Sequence, residues 1–79
     1  MSRSFKVVLT AEQRAELEQM RDHHPKPYVR ERAAAILKVA DGQSMRQVAL
    51  CGLLKRREPE TVKEWVLRYL ADGPESLLV

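Results

Sequence analysis

The side chains able to do chemistry fall into three groups. His23-His24 is an adjacent pair in the segment Asp22-His23-His24-Pro25-Lys26-Pro27, with no cysteine or further histidine nearby. Two neighbouring rings in a proline-rich loop do not fill a tetrahedral metal site. Cys51 is the single cysteine. A lone thiol makes no internal disulfide, and its expected role is that of a small buried apolar residue. The third group is a basic run, Lys55-Arg56-Arg57, followed by the mixed polar set Thr61, Lys63, Glu64 and Arg68. Arginine and lysine in such a cluster suit phosphate oxygens. On a helix they also suit the acceptor edge of guanine, and a glutamate suits the cytosine amine. No Ser-His-Asp arrangement, phosphate-cradling glycine loop or zinc-ligand spacing is present. The expectation is a binding domain and not an enzyme, with no cofactor, no metal and no small-molecule substrate.

Charge is distributed unevenly over the 79 residues, whose net value is +3. Residues 28–57 carry seven basic and two acidic side chains, whereas residues 58–79 carry two and five. A polyanion would find its charge in the middle of the chain. No run of about 18 apolar residues exists, so no membrane span is expected. The short run Phe5-Lys6-Val7-Val8-Leu9 is closed by a polar cap and does not read as a signal peptide. The expected location is cytoplasmic, at the nucleoid.

The elements that must position these groups read as helices. Ala, Leu, Glu, Arg and Lys dominate, and only 3 glycines are present. Residues 5–9 are β-branched or aromatic and read as a short extended segment, which either packs on the helices or pairs across a dimer. Thr10 with Gln13 forms a capping box, opening a helix over 10–22 whose loose stripe is Ala11, Ala15, Leu17 and Met20. Pro27 opens a second helix over 27–40, with Val29, Ala33, Ile36, Leu37 and Ala40 at helical spacing. The run Ala33-Ala34-Ala35 lets another helix approach closely, and Gly42 is free to take the left-handed cap. Ser44 with Gln47 repeats the capping box for a short third helix over 44–51, burying Met45, Val48 and Ala49, with Gly52 as its stop. Pro59 opens a fourth helix over 59–72, whose stripe is Val62, Trp65, Val66, Tyr69 and Leu70. Asp72-Gly73-Pro74 ends it, and Leu77, Leu78 and Val79 are free to fold back. The fold class is therefore all-α: one domain over 1–79, a compact bundle of four short helices containing a helix-turn-helix of the homeodomain-like kind.

Three stretches carry a resemblance: Leu9-Thr10-Ala11-Glu12-Gln13-Arg14-Ala15-Glu16-Leu17, the span Arg30-Glu31-Arg32-Ala33-Ala34-Ala35-Ile36-Leu37 through Asp41-Gly42-Gln43-Ser44 to Gln47-Val48-Ala49, and Thr61-Val62-Lys63-Glu64-Trp65-Val66-Leu67-Arg68-Tyr69. Residues 10–70, about three quarters of the chain, resemble the N-terminal DNA-binding region of bacterial insertion-sequence transposases of the mariner-like superfamily. The resemblance implies a helix-turn-helix that binds the element's terminal repeats beside a separate catalytic domain. That domain uses three acidic residues and a divalent metal; nothing here corresponds to it, so no catalytic residue is carried over. Two departures stand out. Twelve positions separate Ala49 from Thr61, about three more than in the ordinary motif. The last helix also opens with Glu58, Pro59 and Glu60, where the family often shows serine or arginine.

The reading that follows is a reader of double-stranded DNA. Thr61, Lys63, Glu64 and Arg68 are its candidate base contacts, with Leu67 on the same outward face. Lys55, Arg56, Arg57 and Arg46 are the candidate phosphate contacts. Arg30, Arg32 and Lys38 either extend the basic strip or pair with nearby acids. Trp65 is expected as a core anchor and not a stacking platform. The alternative on the same scaffold is a protein-interaction or homodimerisation module, using the acidic start of the last helix and the apolar tail.

Overall fold

Helix α1, Ala11–His23, begins at a reciprocal cap. In the computed structural model, which describes residues 7–51 and 57–78, the Thr10 hydroxyl accepts the Gln13 N–H at 3.0 Å. The Gln13 side chain accepts the Thr10 N–H at 2.9 Å. Two otherwise orphaned donors are thereby satisfied. The expected α1 stripe is narrower than its spacing suggested: Leu17 is buried and Met20 packs partly against the core, but Ala11 and Ala15 are exposed. Alanines offer little apolar area, so the larger Leu17 sets the buried face.

Helix α2, Pro27–Ala40, runs through the middle of the fold. It packs against α1, α3, α4 and the C-terminal segment, and Val29, Ala33, Ala35, Ile36, Leu37 and Val39 are all buried. A single stripe predicts burial of one face; here Ala35 and Val39 are covered as well. Gly42, at φ +105°, makes the left-handed stop that the sequence led one to expect. The Gln43 N–H reaches the Lys38 carbonyl at 3.2 Å and the Gly42 N–H reaches Val39 at 3.0 Å, the paired bonds of a Schellman cap. Arg14 of α1 joins this corner through Asp41 at 2.7 Å.

Helix α3, Met45–Cys51, starts where the Ser44 hydroxyl accepts the Gln47 N–H at 3.0 Å. Helix α4, Pro59–Asp72, buries Val62, Trp65, Val66 and Tyr69. Leu70, read as part of that stripe, is exposed. It lies about 100° around the helix from Tyr69, which turns it away from the core. Gly73 then takes φ +80°, ψ −163°, a region essentially reserved for glycine. The chain returns as a 3-10 helix, Gly73–Leu78, with Leu77 buried and Leu78 half exposed. The Tyr28 hydroxyl donates to the Leu78 carbonyl at 2.9 Å, and Arg32 donates to that of Leu77 at 3.2 Å. At the other end, Val7 is buried and Val8 is 83% exposed, and Leu9 packs partly against the core, so residues 7–9 lie on the helices. Among the described residues no strand occurs, and the fold is a small all-α bundle. Phe5, Lys6, Gly52 and Val79, and the side chain of Cys51, lie outside the described residues.

Two core features make testable statements. A Cβ at Gly42 would meet no atom within 4 Å, so Gly42→Ala tests backbone conformation alone. It is expected to lower stability by about 1–2 kcal/mol in urea unfolding. Tyr69 is buried, and its hydroxyl has no hydrogen-bond partner among the described residues. Burial, and secondarily the charge of Glu16, hold its pKa above the ordinary tyrosine value. A raised folded pKa means stability is intact below the unfolded value of about 10 and lost as pH rises through the folded one. Tyr69→Phe is therefore expected to leave stability at neutral pH unchanged or higher by up to about 1 kcal/mol. It should also remove this residue's share of the alkaline loss, as read by thermal melts from pH 8 to 11.

Candidate nucleic-acid interface

Helix α4 divides sharply between its two faces. Val62, Trp65, Val66 and Tyr69 point into the core, while Lys63, Glu64, Leu67 and Arg68 are exposed and Thr61 is half buried at the edge. The four candidate base-reading residues thus share one side of α4 with Leu67. Arg68 and Glu64 approach to 3.8 Å one turn apart, both largely in solvent. Such an i,i+4 pair is worth only about 0.3–0.5 kcal/mol, so either side chain is readily turned toward another partner.

Helix α3 packs directly on α4. Val48 and Ala49 are fully buried in the same core as Val62 and Val66, and the small side chain at Ala49 suits a close crossing. Beyond the connector, the Arg57 N–H donates to the Ala49 carbonyl at 2.7 Å. This bond ties the start of α4 back to the end of α3. Arg46 on α3 is exposed. Lys55 and Arg56, two of the expected phosphate contacts, lie outside the described residues.

Arg57, the third residue of that basic run, has a defined partner. Its Nε donates to Glu31 Oε2 at 2.9 Å and its Nη2 to Oε1 at 2.7 Å. The hydrogen bond to Glu31, reinforced by that carboxylate's charge, pushes the Arg57 pKa further up. The Glu31 side chain is only 14% exposed. The same guanidinium lies 5.9 Å from the Trp65 ring centre. Arg32 lies 5.6 Å from that ring and 5.0 Å from the ring of Tyr28. Trp65 is therefore a core anchor flanked by two cations, and the planar fork of arginine suits both the carboxylate and the ring.

The rest of the expected basic strip is divided. Arg30 donates to the His24 carbonyl at 2.6 Å, and Arg32 holds the C-terminal segment. Both serve the fold from α2. Lys38 is half buried. His24 Nδ1 accepts the Lys26 N–H at 3.1 Å, and among the described residues no group of three or more His, Cys, Asp or Glu gathers. Glu58 and Glu60 are exposed at the start of α4, where negative charge favours the helix dipole. The reading from sequence assigned no role to Glu31. Its one available signal was that it is the lone acid on α2, set between two arginines. Among the described residues no helix is long and apolar enough to cross a membrane. Comparison with protein-family models, with curated proteins and with solved structures finds no match.

The Arg57–Glu31 pair is testable in isolation. A double-mutant cycle with Arg57→Ala and Glu31→Ala is expected to give a coupling of about 1 kcal/mol, diminished in high salt. Arg57→Lys keeps the charge but not the fork, and should recover less than half of it. A coupling indistinguishable from zero at low salt would show that the contact does not hold α4 against α2.

Proposed function

We propose that this chain binds double-stranded DNA through a helix-turn-helix formed by α3 and α4, with α4 as the helix that enters the major groove. The observation that carries the reading is the division of α4. One side is locked into the core by Val62, Trp65, Val66 and Tyr69, and the other presents Lys63, Glu64 and Arg68 to solvent beside Thr61. A recognition helix needs both properties, rigid attachment on one side and free donors and acceptors on the other. The excess of basic residues over 28–57 and the resemblance to transposase N-terminal regions support the same reading.

The parts divide as follows. Lys63 and Arg68 address purine acceptor edges, and Glu64 addresses a cytosine amine. Thr61 stands at the margin of the same face. Arg46, exposed on α3, contacts phosphate, and Lys55 and Arg56 add charge from the connector. Arg57 acts through the bracket to Glu31 and Trp65, fixing the angle at which α4 is offered. A second reading, self-association through α4, draws on the half-exposed leucines Leu67 and Leu70.

Fluorescence anisotropy with labelled duplexes, first random and then selected from a pool, tests the proposal. Tight binding that weakens steeply with salt and enriches one sequence is expected. Lys63→Ala or Arg68→Ala should cost about 1–3 kcal/mol on the selected site and relax preference at one base pair. Arg46→Ala should weaken all sequences alike and lower the salt slope by about one. Failure to bind any duplex at low salt would overturn the reading. A mass that doubles with concentration in light scattering, together with that failure, would favour self-association.

A further inference from the structure

We propose that Leu67 is a specificity residue that reads the C5-methyl group of a thymine; this rests on α4 being the helix that enters the major groove. Leu67 is 45% exposed, although it belongs to a helix whose other large apolar side chains except Leu70 are buried. Its neighbours on the surface are fixed by helical spacing. Lys63 lies one turn before it, Glu64 three residues before it, Leu70 three residues after it and Ala71 one turn after it. It is thus the middle of a short exposed apolar strip, Leu67, Leu70 and Ala71, with the exposed charges of Lys63 and Glu64 on its N-terminal side.

An occupant of this patch must be apolar against Leu67 and offer acceptors and donors on the side of Lys63 and Glu64. The major groove meets that description at a thymine. The C5-methyl is the one apolar group displayed there, and the flanking base edges carry the oxygens, nitrogens and amines that Lys63, Arg68 and Glu64 would address. A second copy of the chain fits less well. Leu67 and Leu70 on a charged face supply a small part of the roughly 800 Å² per partner that a stable interface buries. The weak Glu64–Arg68 contact of 3.8 Å leaves both side chains available to the bases.

The test uses the full chain and the duplex selected by it. Each thymine is replaced in turn by deoxyuridine, which lacks only the methyl group, and affinity is read by anisotropy for the wild type and for Leu67→Ala. Leu67 is exposed, so the variant is expected to fold, and circular dichroism checks this. At one or two positions deoxyuridine should weaken the wild type about fourfold, the value for one buried methyl. Leu67→Ala should be insensitive at those same positions. Selective binding with no thymine-methyl dependence, or with equal dependence in Leu67→Ala, overturns the methyl contact and leaves DNA binding standing. No duplex binding at all overturns both. Concentration-dependent dimerisation abolished by Leu67→Ala, with DNA affinity unchanged, assigns the leucine to a second copy and overturns the proposal.

Discussion

Everything else in this bundle is arranged around the covering of α2. A chain of 79 residues buries only about 60% of the surface that it exposes when unfolded, so one element must collect contacts from all the others. Helix α2 does so because its buried positions combine small and branched side chains. Ala33 and Ala35 admit close neighbours, while Val29, Ile36, Leu37 and Val39 fill the remaining volume. α1, α3, α4 and the C-terminal 3-10 helix each take a share of its circumference. α4, which carries the candidate interface, is held by α3 and the C-terminal 3-10 helix and, less extensively, by α2.

The charged side chains of α2 solve a second problem. A helix covered on so many sides has little solvent left for its arginines, and Arg30 and Arg32 are accordingly bound to the carbonyls of His24 and Leu77. Glu31, between them, draws Arg57 in from the far side of the connector. The result is a layer of cations and rings above the apolar core, with Trp65 between Arg32 and Arg57. Part of the basic charge counted along the chain is thus engaged within the fold. Sequence charge therefore overstates what α2 leaves in solvent, and α4 carries two basic side chains, Lys63 and Arg68, beside the acids Glu60, Glu64 and Asp72.

The helices were legible in the sequence because their ends are written in local chemistry. Thr10 with Gln13, Pro27, Gly42, Ser44, Pro59 and Gly73 each act within a few residues, and the observed bounds follow them closely. What escaped was set by distance in the chain. The burial of Ala35 and Val39 depends on how many neighbours reach α2, which periodicity does not encode. The Arg57–Glu31 bracket joins residues 26 apart, so a basic run read locally as solvent-facing turned out to include a structural arginine. Leu70 was misplaced for the opposite reason: an apolar residue next to a stripe was credited to it, although helical geometry rotates it outward.

The hydrogen bond from the Arg57 N–H to the Ala49 carbonyl has a consequence for how such a domain changes over evolutionary time. It pins the two ends of the connector to each other, independently of what lies between. Closure entropy grows slowly with loop length, about 0.6 kcal/mol for each doubling. On closure entropy alone, lengthening the stretch between those two anchor points costs little. The bond, rather than the length of the stretch, then sets where α4 starts relative to α3 as related chains diverge.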